Sequence, residues 1–302
     1  MHSAQTDKPD VIIREVALRD GLQSEPGFVA TGDKLRLIRA LAAAGVVFLE
    51  TTSFVSPRAI PQLKDARELM ARVPRDLLCH EVMVPNIRGA RAAADAGADR
   101  LIVFVSASET HNRKNVGCSI EQSMADLGAI SGLAAGGNMA VAAAIATAFG
   151  CPYEGRVDKS AVLAIARRFV HEGADRITLA DTTGMANPKQ ITETVAFFKD
   201  HLPHTQICLH LHNNRGLAAA NLYAGYLAGI EMFDTSLGGI GGCPNVPMAA
   251  GNLATEDVAN MFEAMGVRTG MDINGLIRAA GLLENILGRA LPGQVMKSGT
   301  SA

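Results

Sequence analysis

The sequence predicts an α/β protein folded as a (β/α)8 barrel with a short C-terminal helical extension. Three observations carry this. Strand and helix patterns alternate eight times, and no Pro/Gly-rich linker divides them. Polar residues gather at the carboxyl ends of the strand segments, whereas ordinary turn residues such as Ala-Gly and Gly-Ala-Asp occupy the other ends. Strands alternating with helices of this length imply parallel pairing, and eight such units close a barrel. With 302 residues, 48% of them hydrophobic, the chain has the size and core material such barrels need as one domain.

The elements follow in order. Val11–Ala17 reads as the first strand, and 32–44 as a helix with Leu35, Ile38 and Leu41 on one face. VVFLETTSF (46–54) is the second strand, followed by a helix over about 58–72. LLCHEVMVP (77–85) precedes an Ala-rich helix near 87–96, and RLIVFVSAS (100–108) precedes a long loop and a helix over about 119–133. MAVAAAIATAF (139–149) leads into a helix near 158–172. DRITLADTTG (175–184) leads into one opened by Pro188, a residue favoured in a first turn. The seventh strand, from Ile207, precedes a helix at about 216–228; the eighth, IEMFDTSLGG (230–239), precedes a helix from near Thr255. Residues 11–291 form the domain, with 270–291 as its helical extension. Residues 1–10 read as a disordered lead-in and 292–302 as a disordered tail.

Composition narrows the function. A net charge of -2 and the absence of Trp argue against nucleic acid and anionic membrane as partners. Apolar runs are broken well short of a membrane span, and residues 1–10 lack the apolar segment of a secretion signal. Five scattered cysteines without a CxxC pair fit reduced thiols and a cytoplasmic location.

In a barrel, the active site is built at the carboxyl ends of the strands. This sequence puts Arg19, Asp20 and Gln23 after strand one, Glu50, Thr52 and Ser53 at strand two, and Ser106, Glu109 and Asn115 after strand four. Asp181 and Thr182 close strand six, His210 and His212 strand seven, and the glycine-rich loop 238–244 strand eight. Alternation along strand seven turns both imidazoles to one face. They suit either a shared metal ion or separate hydrogen bonds to carbonyls. The glycine-rich loop lacks the Lys-Ser/Thr of a phosphate cradle and reads as a closing flap that carries Cys243. Arg19 suits an electrophile for a carbonyl oxygen that becomes anionic, and Glu50 an orienting partner for it.

EVALRDGLQSE (15–25), LETTSFVSP (49–57), RKN (113–115), GCPYEG (150–155), DTTG (181–184), HLHNN (210–214), GGIGGCP (238–244) and GNLATED (251–257) together resemble hydroxymethylglutaryl-CoA lyase. The resemblance runs from about Val11 to about Leu291. RDGLQ alone is shared by the wider superfamily of metal-dependent lyases and Claisen synthases; GGCP followed by GNLATED points to the lyase branch. One departure is Asn213-Asn214, where the lyases carry Asp-Thr and condensing relatives Asn-Asp.

The resemblance implies retro-Claisen cleavage of 3-hydroxy-3-methylglutaryl-CoA to acetyl-CoA and acetoacetate. The alternative is a related acyl-CoA, such as citramalyl-CoA or a longer-chain 3-hydroxyglutaryl-CoA analogue. A condensing synthase is disfavoured, because those enzymes carry a large accessory region and little chain follows Glu256 here. Also implied are Asp20, His210, His212 and Asn252 as ligands of Mg²⁺ or Mn²⁺, and a homo-oligomer with a dimer favoured. Arg19, Gln23, Ser53, Asn115 and Thr182 are expected to bind substrate, and Arg19, Asp20, Glu50 and Cys243 to be catalytic. Cys243 suits the acid that protonates the enolate, since a thiol near pKa 8.5 holds its proton at neutral pH yet releases it readily.

Overall fold

The computed structural model describes residues 8–242 and 251–300, so Cys243 lies outside the described residues. The eight expected strands are present: β1 (Ile12–Glu15), β2 (Phe48–Ser53), β3 (Cys79–Val84), β4 (Arg100–Ser106), β5 (Ala140–Ala146), β6 (Arg176–Asp181), β7 (Gln206–Leu211) and β8 (Met232–Thr235). All pair in parallel and in sequence order. β1 closes the barrel against β8, with Ile12 opposite Met232 and Arg14 opposite Asp234.

The helices around the barrel are α1 (Thr31–Ala43), α2 (Ala66–Met70), α3 (Ile87–Asp95), α4 (Glu109–Val116), α5 (Ile120–Met124), α6 (Leu127–Gly136), α7 (Lys159–His171), α8 (Pro188–His201), α9 (Ala218–Leu227), α10 (Thr255–Ala264), α11 (Ile273–Leu287) and α12 (Val295–Ser298). Their starts follow capping chemistry. Asn86, Asp158 and Asn187 each accept a first-turn amide, and Pro188 follows its cap directly. The main core lies between helices and strands, where Leu49, Leu101, Ile177, Leu209 and Phe233 point outward from the barrel wall and are fully buried.

Four expectations are corrected. The long loop after β4 contains α4, whose sequence ETHNRKNV has no apolar stripe to announce it; Ser108 caps its start and Gly117, at φ 77°, ends it. The helix expected over 119–133 is two helices, α5 and α6, and between them Asp126 accepts the Ile87 amide at 2.9 Å. The helix expected over 58–72 shortens to a 3-10 turn, Pro61–Leu63, followed by α2. The tail expected to be disordered over 292–302 contains α12, and Asp257 accepts the Gln294 and Val295 amides that open it. At the other end of the chain, Asp10 pairs with Arg268 through backbone and side chain.

A candidate metal centre at the barrel mouth

The first strand stops at Glu15, earlier than its apolar run suggests. Ala17–Gly21 then makes a single π-helical turn, in which the Asp20 and Gly21 amides both donate to Val16 O. π turns are rare and recur at functional sites. Here the turn carries Arg19 and Asp20, and both side chains are buried in the mouth.

Across the mouth, His210 in β7 and His212 just past its end turn to one side, as alternation along the extended chain requires. Nδ1 of His210 meets Asp234 at 3.1 Å, and Nδ1 of His212 meets the Asp181 carbonyl at 3.2 Å. With these nitrogens anchored, both Nε2 atoms turn to Asp20 Oδ2, at 3.8 and 3.7 Å. Among the described residues, Asp20, His210 and His212 form a group whose ligand atoms all lie within 4.8 Å of one another. Asn252 arrives from the far side. Its segment bridges to His212 through the backbone, and its Nδ2 donates to Asp20 Oδ2 at 2.8 Å. Gly241, at φ 107°, permits this approach: a Cβ there would come within 2.6 Å of the Asn252 amide nitrogen.

The donor set fits a divalent cation. Among the described residues, Nε2 of His212 and Oδ1 of Asn252 are buried without a hydrogen-bond partner, a costly arrangement unless something else satisfies them. Two imidazoles, which are borderline ligands, join a carboxylate and an amide oxygen, which are hard ones, and among the described residues no cysteine is part of the group.

Charge around the cluster is strongly coupled. Burial alone disfavours an ionised Asp20, but the Arg19 guanidinium at 2.7 Å and the two imidazoles hold its carboxyl well below the usual carboxylate range. Burial also opposes a charged His210, yet Asp234 and Asp20 raise its pKa on balance. Glu50 spans two layers: Oε1 takes Arg19 Nε at 2.5 Å, and Oε2 takes Arg14 at 2.9 Å.

The other expected site residues are distributed around one cavity of about 960 Å³ that opens at the mouth. Gln23 and Asn115 line it, with Gln23 Nε2 3.2 Å from Asp20 Oδ1. Ser53 and Thr182 line it as well, but their hydroxyls have local duties. Ser53 donates to the Met83 carbonyl, and Thr182 accepts the Thr147 amide. Glu109 and Asp181 serve structure, accepting the Ile120 amide and the Met185 and Ala186 amides. Asn213, the departure noted in the sequence, accepts the Ala218 amide at 3.3 Å.

Sequence reasoning missed a layer of charge beneath the mouth. Arg14 binds Glu50, Glu81 and Asp234, while Arg176 takes both oxygens of Glu81 at 2.8 Å. The signal was available, since an Arg or Glu inside the runs IIRE, CHEVMV and RITLAD must face either solvent or the barrel interior.

A closed parallel barrel with two histidines and a carboxylate converging at the carboxyl ends of its strands has the architecture of a barrel enzyme with a candidate metal centre. The chain belongs to the HMGL-like family, whose model matches residues 10–283. It is 40% identical over 292 residues to hydroxymethylglutaryl-CoA lyase YngG of Bacillus subtilis, covering 95% of this chain and 98% of that one. It is equally 40% identical over 300 residues to (R)-citramalyl-CoA lyase of Chloroflexus aurantiacus, covering 96% and 95%. An HMG-CoA lyase from Acinetobacter baumannii, solved with coenzyme A and 3-methylmalate, superposes with a TM-score of 0.93 at 40% identity, covering 97% of this chain and 96% of that one.

Proposed function

We propose that this protein cleaves 3-hydroxy-3-methylglutaryl-CoA or a close 3-hydroxyacyl-CoA relative to acetyl-CoA and a 3-oxo acid. The observation that carries the reading is the convergence of Asp20, His210 and His212 beside Arg19 in a cavity of about 960 Å³. Asp20, His210, His212 and Asn252 would hold a divalent cation, Mg²⁺ or Mn²⁺, and such an ion would supply the positive charge that makes the substrate hydroxyl more acidic.

This chain's residues supply the rest. Arg19, fixed by Glu50, presents its guanidinium to the thioester carbonyl, whose oxygen gains negative charge as the C2–C3 bond breaks. Asp20, kept ionised, accepts the hydroxyl proton as the ketone forms. Gln23 and Asn115 line the route by which the acyl chain enters. Cys243, which ends the sequence GGIGGC after β8, is assigned the return of a proton to C2 on chemical grounds, since a thiol holds its proton at neutral pH yet releases it readily. Cys243→Ala should then cut kcat by orders of magnitude without loss of metal affinity.

Acetyl-CoA release from 3-hydroxy-3-methylglutaryl-CoA and from citramalyl-CoA, with Mg²⁺ or Mn²⁺ present, tests the reading. Cleavage of the former at an equal or higher kcat/KM supports it. A tenfold preference for citramalyl-CoA, about 1.4 kcal/mol in transition-state binding, replaces it.

A further inference from the structure

Barrel interiors are normally filled by layers of bulky branched side chains. Here the half of the interior opposite β1 and β8 is not. Phe104, Ala144 and Thr178 stand at one level on adjacent strands, in register, with Ala180 one step above and opposite His210. All four line the cavity. Below them Met83, Ile102 and Ala142 form a small apolar cluster separate from the main core, and Phe104 and Ala144 pack onto it while remaining only partly buried. An aromatic ring left partly exposed at mid-strand inside a barrel is apolar area that folding has not fully removed from water. Contiguous exposed apolar surface of this kind marks a ligand site. Its neighbour in register is His210, whose Nε2 faces the group that would bind the C3 hydroxyl.

We propose that this alanine-lined recess receives the substituent on C3 of the substrate, and that this substituent is an alkyl chain of several carbons. The inference rests on the acyl-CoA lyase reading above. The hydroxyl on C3 lies with Asp20 and the histidines, so another group on the same carbon points across the barrel to Ala144 and Ala180. A methyl group replaces less than one missing Val or Leu side chain, whereas a longer chain covers Ile102, Phe104 and both alanines. The chemistry balances without a co-reactant. The C2–C3 pair moves to C2, the hydroxyl loses its proton to become the ketone, and C2 gains a proton, giving acetyl-CoA and a 3-oxo acid that carries the chain.

The test is a series of 3-hydroxy-3-alkylglutaryl-CoA substrates with methyl, propyl and pentyl groups, followed by acetyl-CoA release. Burial of each added methylene is worth about fourfold in kcat/KM, so the pentyl substrate should exceed the methyl one by tenfold or more. Ala144→Leu should lower the pentyl-to-methyl ratio at least 30-fold. The ratio is insensitive to partial misfolding, which lowers both alike, and Ala180→Val provides a second, milder obstruction. A methyl substrate cleaved tenfold better than pentyl, or a ratio unmoved by both substitutions, overturns the proposal while leaving the lyase reading intact. Failure to cleave any member overturns both.

Discussion

Two clusters of charge are stacked inside this barrel, and they differ in what they leave over. In the lower one, Arg14 spends all three of its nitrogens on Glu50, Glu81 and Asp234, and Glu81 is taken by both Arg14 and Arg176. Burial penalises the charges of Glu81 and Arg14, but mutual attraction outweighs it, so Glu81 is held below its ordinary pKa and Arg14 well above. In the upper cluster, His212 Nε2 and Asn252 Oδ1 make no hydrogen bond among the described residues although both are buried. The lower network leaves over only guanidinium N–H groups, at Arg100 and Arg176, while its charges neutralise one another; the upper one leaves over an imidazole nitrogen and an amide oxygen, both of them ligand atoms. The two communicate through Glu50, which holds Arg19, and Asp234, which holds His210.

The comparison is broken if substitutions in the two clusters act alike. His212→Ala should lower kcat by roughly a thousandfold, the scale of several kcal/mol of charge stabilisation, while the urea midpoint shifts little. Glu81→Gln should do the reverse, because it strands Arg14 and Arg176; stability should fall by about 3–5 kcal/mol. Equal losses of stability in the two variants would erase the distinction. Asp234→Asn belongs to both clusters. It should weaken metal affinity by about 10–100-fold, the usual effect of removing the group that orients a ligand histidine, and isothermal titration with Mn²⁺ reads this directly.

The smallest effect lies at the base of the loop after β8. Glu15 accepts the Ala17 and Leu237 amides and the Thr255 hydroxyl, and Glu256 accepts the Gly238 amide. Burial pushes both carboxyls up to about 7, outweighing those hydrogen bonds. The folded protein therefore keeps protons that the unfolded chain releases from about pH 4.5 upward. This contribution is complete below the unfolded value and is lost as pH rises through 7. Thermal midpoints should decline between pH 5 and 8, and Glu256→Gln should flatten that decline. An unchanged slope in Glu256→Gln would remove Glu256 from the explanation.

The fold was legible because eight apolar strand segments and their polar carboxyl ends repeat along the chain. His210, His212, Arg19 and Asp20 were legible for the same reason: each falls where a strand leaves the barrel. The π turn that swings Arg19 and Asp20 inward was not, since its signature is a backbone bond pattern around Val16 and leaves no mark in composition. Asp234 and Glu81 were overlooked because strand periodicity favours apolar interiors, whereas this interior is ionic. The recess beside Ala144 left a trace in MAVAAAIATAF: one face of the alternation is alanine throughout, at 140, 142, 144 and 146, while the other carries Val141 and Ile145, but small residues on one face suit close packing as well as a pocket.

The central claim is that the upper cluster is a metal centre on which cleavage depends. Titrating metal-stripped protein with Mn²⁺, while following free Mn²⁺ by electron paramagnetic resonance and acetyl-CoA release in the same samples, tests it most directly. One ion should bind per chain, with turnover rising from zero in proportion to occupancy, and His212→Ala should show neither. Full turnover in excess chelator, or Mn²⁺ binding that His212→Ala leaves untouched, would contradict it.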